Sequence, residues 1–197
     1  MDEAEPKEGW SPMPVLLIGL LALLFFWGLT RMDDRGGGFN KVVYPPYLSI
    51  EDVDKAWPKD PEEAKRMLGK TLFEKNCAPC HMVNGVGSPA INAPPLAGSE
   101  WVNAEGPNRI VRIVLNGLQG PIQVTGKQFG AGVMVPWRDA LKDDEIAAIL
   151  SYVRGNKEWG NSAGPVQAEQ VKAIRDKTTD HVGPWVATDL EKVPVKD

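Results

Sequence analysis

Two cysteines and two histidines are all that this 197-residue chain contains. Both cysteines fall within one pentapeptide, so no separate disulfide framework is available. Basic runs are absent and aromatic residues do not interleave with lysine or arginine, which excludes the footprint of a nucleic-acid-binding protein. The formal net charge is only −4. No βαβ pattern stands near the cysteines, as a thioredoxin-like redox pair would require. A zinc site needs four ligands, and the chain holds only Cys77, Cys80, His81 and His181 as cysteine or histidine ligands. The length leaves room for one compact domain with extensions.

The pentapeptide is Cys77-Ala78-Pro79-Cys80-His81. A Cys-x-x-Cys-His run reads as a c-type haem attachment site. Two thiols three residues apart can each add to one haem vinyl group, and the adjoining imidazole can reach the iron from the same side of the ring. The plainer readings are a disulfide, a redox pair and half of a zinc site. The disulfide needs only an oxidising compartment. For zinc, His81 abuts Cys80, which is awkward for a shared tetrahedron.

The second strong signal is an apolar run. Val15 to Leu29 reads VLLIGLLALLFFWGL, without a charge. Residues 10–30 would span about 31 Å as a helix, close to the hydrocarbon thickness of a bilayer. Trp10 and Trp27 would lie near the two interfaces. A cleaved signal peptide fits poorly, because residues 1–8 are acidic with only Lys7 basic, and no A-x-A-like site follows Leu29. A retained anchor over residues 12–30 is expected, after an N-terminal tail over 1–11. A helix this apolar on every face does not suit a soluble core.

Residues 31–59 read as a connecting segment. Gly36-Gly37-Gly38 is flexible and Tyr44-Pro45-Pro46-Tyr47 is stiff and extended. The segment is either a spacer or a strap lying on a neighbouring subunit. Phe39, Val42, Val43, Tyr44, Tyr47, Leu48 and Ile50 favour the strap, since free linkers are less apolar. Asp60-Pro61-Glu62-Glu63 opens a helix with a cap, a first-turn proline and acids suited to the helix dipole. Ala64, Leu68 and Leu72 recur along one face, and this helix delivers Cys77 at its end. A second helix is predicted from Pro107 to about Asn116, with Gly117 as terminator. A third runs from about Asp143 to Arg154, with Ile146, Ile149, Leu150 and Val153 on its apolar side. Residues 156–197 carry six basic and seven acidic side chains, with a short polar helix over Gln167 to Lys177. Trp159 and Trp185 on so polar a tail suggest docking on a partner.

The order of parts over residues 60–155 is specific. Gly69-Lys70-Thr71-Leu72-Phe73 precedes the cysteine run and Pro94-Pro95-Leu96-Ala97-Gly98 follows it. Then come Gly132-Val133-Met134-Val135-Pro136-Trp137 and the helix opened by Asp143-Asp144-Glu145-Ile146. In these parts the chain resembles a class I cytochrome c. The resemblance covers about half the protein and leaves both flanks to be read by themselves. It implies an all-α domain of three to five helices around one covalently bound haem c; the apolar run places a transmembrane helix before that domain, and extended N- and C-terminal flanks complete the chain. The resemblance further implies that the first and last domain helices cross, with Gly69, Phe73 and Tyr152 as contact candidates. The proximal ligand would be His81, its second ring nitrogen held by a proline carbonyl, with Pro95 as first candidate and Pro94 as second.

For the sixth ligand, Met134 lies 53 residues after His81 in a Gly-rich loop, and its soft sulfur suits haem iron and raises the reduction potential. His181 or an open site are the alternatives. Met82 follows His81 directly and cannot reach the opposite face, and Met67 reads as core filler. Trp101, Phe129 and Trp137 are expected to wall the pocket. Arg109, Arg112 and Arg138 either pair with haem propionates or are solvated. The expected function is single-electron transfer between respiratory partners, not catalysis, with no small-molecule substrate. The chain would be a fixed subunit of a quinol-oxidising complex, a terminal oxidase or an alternative complex III-like assembly, or else a tethered shuttle between such complexes. A haem-based ligand sensor or haem enzyme with a vacant or labile sixth site is the rival reading. The domain balances ten basic against ten acidic residues, so no lysine ring for steering a soluble partner is evident. By the same resemblance, haem attachment implies a compartment outside the cytoplasmic membrane, so with the apolar run as anchor the expectation is a single-pass protein of a bacterial cytoplasmic membrane with its haem domain on the periplasmic side. Arg31, Arg35 and Lys41 after the helix, against Lys7 before it, argue the reverse by the positive-inside rule.

Overall fold

The computed structural model describes residues 14–36, 46–130 and 132–196. The chain divides into two compact units, Met1–Trp57 and Pro58–Asp197. Trp10, Lys7 and most of the apolar part of the expected strap (Phe39, Val42, Val43, Tyr44) lie outside the described residues.

In the first unit, α1 spans Val15–Gly36, about 33 Å of helix. Its stretch Val15–Met32 has a mean hydropathy of 2.1 and none of it is buried within the protein. A helix apolar on every face and unburied among the described residues is long and apolar enough to cross a membrane. The sequence reading did not anticipate α2, Ile50–Ala56. Its start is written in Ser49 and Asp52. The Ser49 hydroxyl accepts from the Asp52 amide at 3.2 Å, and the Asp52 carboxylate accepts from the Leu48 amide at 3.2 Å.

The second unit is built on α3, Pro61–Asn76, and α6, Asp143–Arg154. Asp60 caps α3 as expected, its carboxylate accepting from the Glu62 amide at 3.3 Å. Glu145 folds back to accept from the Lys142 amide at 2.8 Å and opens α6. The two helices cross at Gly69, where a Cβ would lie 2.1 Å from the Ala148 carbonyl oxygen and 3.0 Å from the Tyr152 Cβ. Phe73, fully buried, sits one turn further along. Its ring meets Tyr152 at 5.8 Å between centroids, as expected, and also Trp159 at 5.2 Å. A single-turn helix α4, Ala78–His81, follows α3 directly, and α5, Asn108–Asn116, supplies the other wall of the core.

One strand pair interrupts the helical fold. β1, Ile122–Val124, pairs antiparallel with β2, Lys127–Phe129, in the register Ile122 to Phe129. Thr125 and Gly126, at φ of 50° and 73°, make the two-residue turn. Glu100 holds that turn by accepting from the Thr125 amide at 2.9 Å.

The expectation of a tail that docks elsewhere is corrected by the contacts. Helix α7, Ala168–Lys177, buries Val171 and Ile174 in the main core, and α8, Ala187–Lys192, buries Leu190 in a second apolar cluster with Leu118, Ile122 and Val124. Arg154, 1 % exposed, donates to the carbonyls of Gly164, Val102 and Ala104. Arg175 pairs with Asp143 at 2.7 Å and donates to the Leu141 carbonyl at 2.9 Å. Trp159 joins the core and Trp185 the second cluster, so both tryptophans have partners within the unit.

Candidate haem-binding site

Helix α3 ends on Cys77, and the turn α4 then sets Cys80 and His81 one helical turn further on, with the His81 amide donating to the Cys77 carbonyl at 2.9 Å. Both thiols are free. Burial, and secondarily the neighbouring Cys80, pushes the Cys77 thiol up to about 11, whereas Cys80 is exposed. The His81 ring is buried, and desolvation holds its pKa below the ordinary value against the opposing pull of its backbone hydrogen bond. The imidazole is therefore neutral near pH 7, the form that ligates a metal.

That hydrogen bond joins His81 Nδ1 to the Pro94 carbonyl at 3.0 Å. The acceptor is the second of the two expected prolines, so the choice of Pro95 is corrected. The reason is the turn at Gly87, whose φ is +77°. A Cβ there would lie 2.4 Å from the Ala93 carbonyl oxygen and 2.7 Å from the Pro94 carbonyl carbon, and only glycine lets the loop close on Pro94. With Nδ1 engaged, Nε2 is the nitrogen left to face iron.

Cys77, Cys80, His81 and Met134 all line one cleft of about 230 Å³. Trp101 and Trp137 also line it, whereas Phe129 packs in the second cluster instead. No Asp, Glu, Lys or Arg is among the described residues lining the cleft. The three arginines considered for propionates are engaged elsewhere. Arg109 donates to the Val193 and Glu191 carbonyls, Arg112 to the Asn108 carbonyl, and Arg138 to the Arg175 and Thr178 carbonyls.

Met134 is carried by the loop after β2 and paired with Leu118, each amide donating to the other's carbonyl, at 2.8 Å and 3.1 Å. Gly117 permits this approach, since at φ +84° its missing Cβ would lie 2.4 Å from the Met134 carbonyl oxygen. His181 does not line the cleft and stacks on Trp185 with ring centroids 3.7 Å apart. Met67 and Met82 are exposed.

The residue chemistry fits a covalent haem: two free thiols beside a neutral imidazole, a soft thioether on the same cleft, and apolar walls. Comparison with known proteins agrees. The cytochrome c family profile matches residues 67–157. Cytochrome c-552 of Thermus thermophilus is 40% identical over 109 residues, which cover 51% of this chain and 79% of that protein. The chain belongs to the cytochrome c family. Membership carries covalently bound haem c with it. Two further relatives are the cytochrome c subunit of a quinone alcohol dehydrogenase from Gluconobacter oxydans, 34% identical over 110 residues, and the cbb3-type cytochrome c oxidase subunit FixP of Azorhizobium caulinodans, 28% identical over 136 residues. Those matches cover 54% and 64% of this chain but only 22% and 42% of the relatives.

Sequence reasoning missed Trp159 at the helix crossing and Asn161 behind the proximal loop. Fully buried Asn161 accepts from the Gly98 amide at 3.0 Å and donates to the Leu96 carbonyl at 3.1 Å and the Val153 carbonyl at 2.9 Å. A lone Asn in a polar tail carries no signal for that role.

Proposed function

We propose that this chain is a membrane-anchored electron carrier with one haem c, held by thioether bonds to Cys77 and Cys80 and ligated by His81 and Met134. The observation that carries the reading is the convergence of these four residues on one apolar cleft with no charged side chain among its described lining residues. A single Cys-x-x-Cys-His run and no other cysteine supports one haem.

When bound, the haem supplies iron that exchanges one electron without binding substrate. The chain's own residues do the rest. The Pro94 carbonyl holds the His81 ring in orientation and keeps its Nδ1 protonated. Leu118 pins the backbone on both sides of the Met134 peptide. The uncharged walls penalise added positive charge, which together with thioether ligation favours the reduced state. Ile91, Val133 and Val135 line the cleft and are each more than half exposed, so an apolar rim faces outward where electrons enter and leave.

Residues 12–30 act as the anchor, 31–59 as the connection and 60–155 as the haem domain, onto which 156–197 packs. The haem domain lies on the periplasmic side of a bacterial cytoplasmic membrane, and the chain works as a fixed subunit of a respiratory complex. Relatives that are a cytochrome c subunit of an alcohol dehydrogenase (quinone) and a subunit of a cbb3-type cytochrome c oxidase support this assignment.

The test is a visible spectrum of the detergent-solubilised full chain beside a Met134→His variant. The expected result is a low-spin c-type spectrum whose weak far-red Met–iron band is lost in the variant, with a fall in reduction potential. High-spin haem in the unmodified protein would overturn the reading in favour of ligand or substrate chemistry.

A further inference from the structure

The loop carrying Met134 is the inner member of a three-layer backbone ladder whose outer member comes from the C-terminal tail. Met134 pairs with Leu118 through two hydrogen bonds. On the other side of the same segment, the Gln119 amide donates to the Trp185 carbonyl at 2.8 Å, and the Trp185 amide donates to the Gly117 carbonyl at 3.0 Å. Residue 118 thus bridges to Met134 in antiparallel sense and to Trp185 in parallel sense.

The Trp185 side chain locks the outer member in place. Its ring stacks on His181 with an interplanar angle of 6° and packs in the apolar cluster that holds Leu118, Met134 and Leu190. Residues 117–119 therefore have no free edge on which to shift. In an isolated hairpin-like pair, the Met134 loop could fray by breaking two hydrogen bonds. Here fraying also works against a strand clamped from behind.

We propose that Trp185 is a positioning residue for the sixth haem ligand, its ring clamping the tail on residues 117–119 and so holding the Met134 sulfur on the iron. The proposal rests on Met134 being that ligand. It gives the tail a function at the haem, since loosening a strand some fifty residues downstream opens the distal side to exogenous ligands.

The test is imidazole binding to the oxidised, detergent-solubilised full-length holoprotein, followed by loss of the far-red Met–iron band. Loss of ladder support at the strength of one hydrogen bond predicts about fivefold tighter imidazole binding for Trp185→Ala. Trp185→Phe keeps a stacking ring and discards a buried indole N–H that has no hydrogen-bond partner among the described residues, so it is expected to restore the original affinity. Val171→Ala, a fully buried site on α7 that belongs to the main core and not to the cluster around Leu118 and Trp185, controls for general destabilisation. It should lower the melting temperature and leave imidazole affinity unchanged.

Unchanged affinity in Trp185→Ala, or an equal gain in Val171→Ala, overturns the proposal. Should Trp185→Ala fail to take up haem, Trp185→Leu, which keeps bulk but not the stack, reads the same quantity with the same expected direction. A Met134→Ala variant separates the two readings. If it retains the far-red band, the ligand assignment itself has failed; if it loses the band while the Trp185 variants bind imidazole like the unmodified protein, only the clamp has failed.

Discussion

Gly69→Ala tests the helix crossing on which the haem cleft is built. Local physics favours the alanine, because replacing a helix-interior glycine gains about 1 kcal/mol of helix propensity. The tertiary contact opposes it. The new methyl would stand 2.1 Å from the Ala148 carbonyl oxygen and 2.7 Å from its carbon, both backbone atoms that no rotamer change can move. Relief requires α3 and α6 to separate by about 1 Å, and a gap of that size forfeits a quarter to a half of each dispersion contact along the seam. Phe73, fully buried one turn away and ringed by Tyr152 and Trp159, would bear much of that loss. Overpacking of this kind costs about 1–3 kcal/mol and more where neither side yields, so a gross cost of about 4 kcal/mol is expected. Subtracting the propensity gain leaves a net loss of about 3 kcal/mol, or a melting temperature lower by about 6–12 °C. The assay is thermal unfolding of the solubilised holoprotein, followed by far-ultraviolet circular dichroism and Soret absorbance. Gly98→Ala is the control, since nothing lies within 4 Å of its Cβ position and only its φ of +66° opposes the change. A Gly69→Ala protein as stable as the original would refute the argument, because it would mean that the helices do not touch at this residue.

Two further substitutions probe the loops on either side of the cleft. Gly117→Ala combines backbone strain of about 1–3 kcal/mol, from a positive-φ extended conformation (φ 84°, ψ 175°) open essentially to glycine alone, with a clash against the Met134 carbonyl oxygen, so the far-red Met–iron band should weaken; a band of full strength would contradict the placement of that loop. Asn161→Ala removes a fully buried amide that also accepts from Asn103 Nδ2 at 2.9 Å, and should cost about 3–5 kcal/mol by calorimetry; a loss under about 1 kcal/mol would count against its role in holding the loop after Pro94.

Particular residues show how far the chain could be read without its fold. The bounds of α6 followed from three acids at its start and an apolar face repeating at helical spacing, because both signals act within a few residues. The same held for α3, through Asp60 and Pro61. Helix α2 is equally legible in Ser49 and Asp52, but its seven residues stand among prolines and glycines that read as a linker. The hairpin was announced only by Thr125-Gly126 between short strands, and three-residue strands are too brief for alternation to stand out.

The packing of the tail is hidden in the sequence for a different reason. Its composition is polar, yet Val171 with Ile174 and Ala187 with Leu190 repeat at i, i+3, a pattern for short buried helix faces. What holds it down is guanidinium groups donating to backbone carbonyls far along the chain, and a backbone carbonyl carries no mark in a sequence.

The amino-acid sequence by itself determined the covalent chemistry and the local elements. Two thiols beside an imidazole, an uncharged apolar helix and capped amphipathic helices are each encoded within a few residues of one another. Only the tertiary structure decided that Pro94 rather than Pro95 accepts from His81, that Met134 and not His181 lines the cleft, and that Trp185 of the tail pairs with the segment that carries Leu118. Those outcomes depend on ångström-scale approaches between backbones distant in sequence, made possible where glycine removes a Cβ, and no local pattern records them.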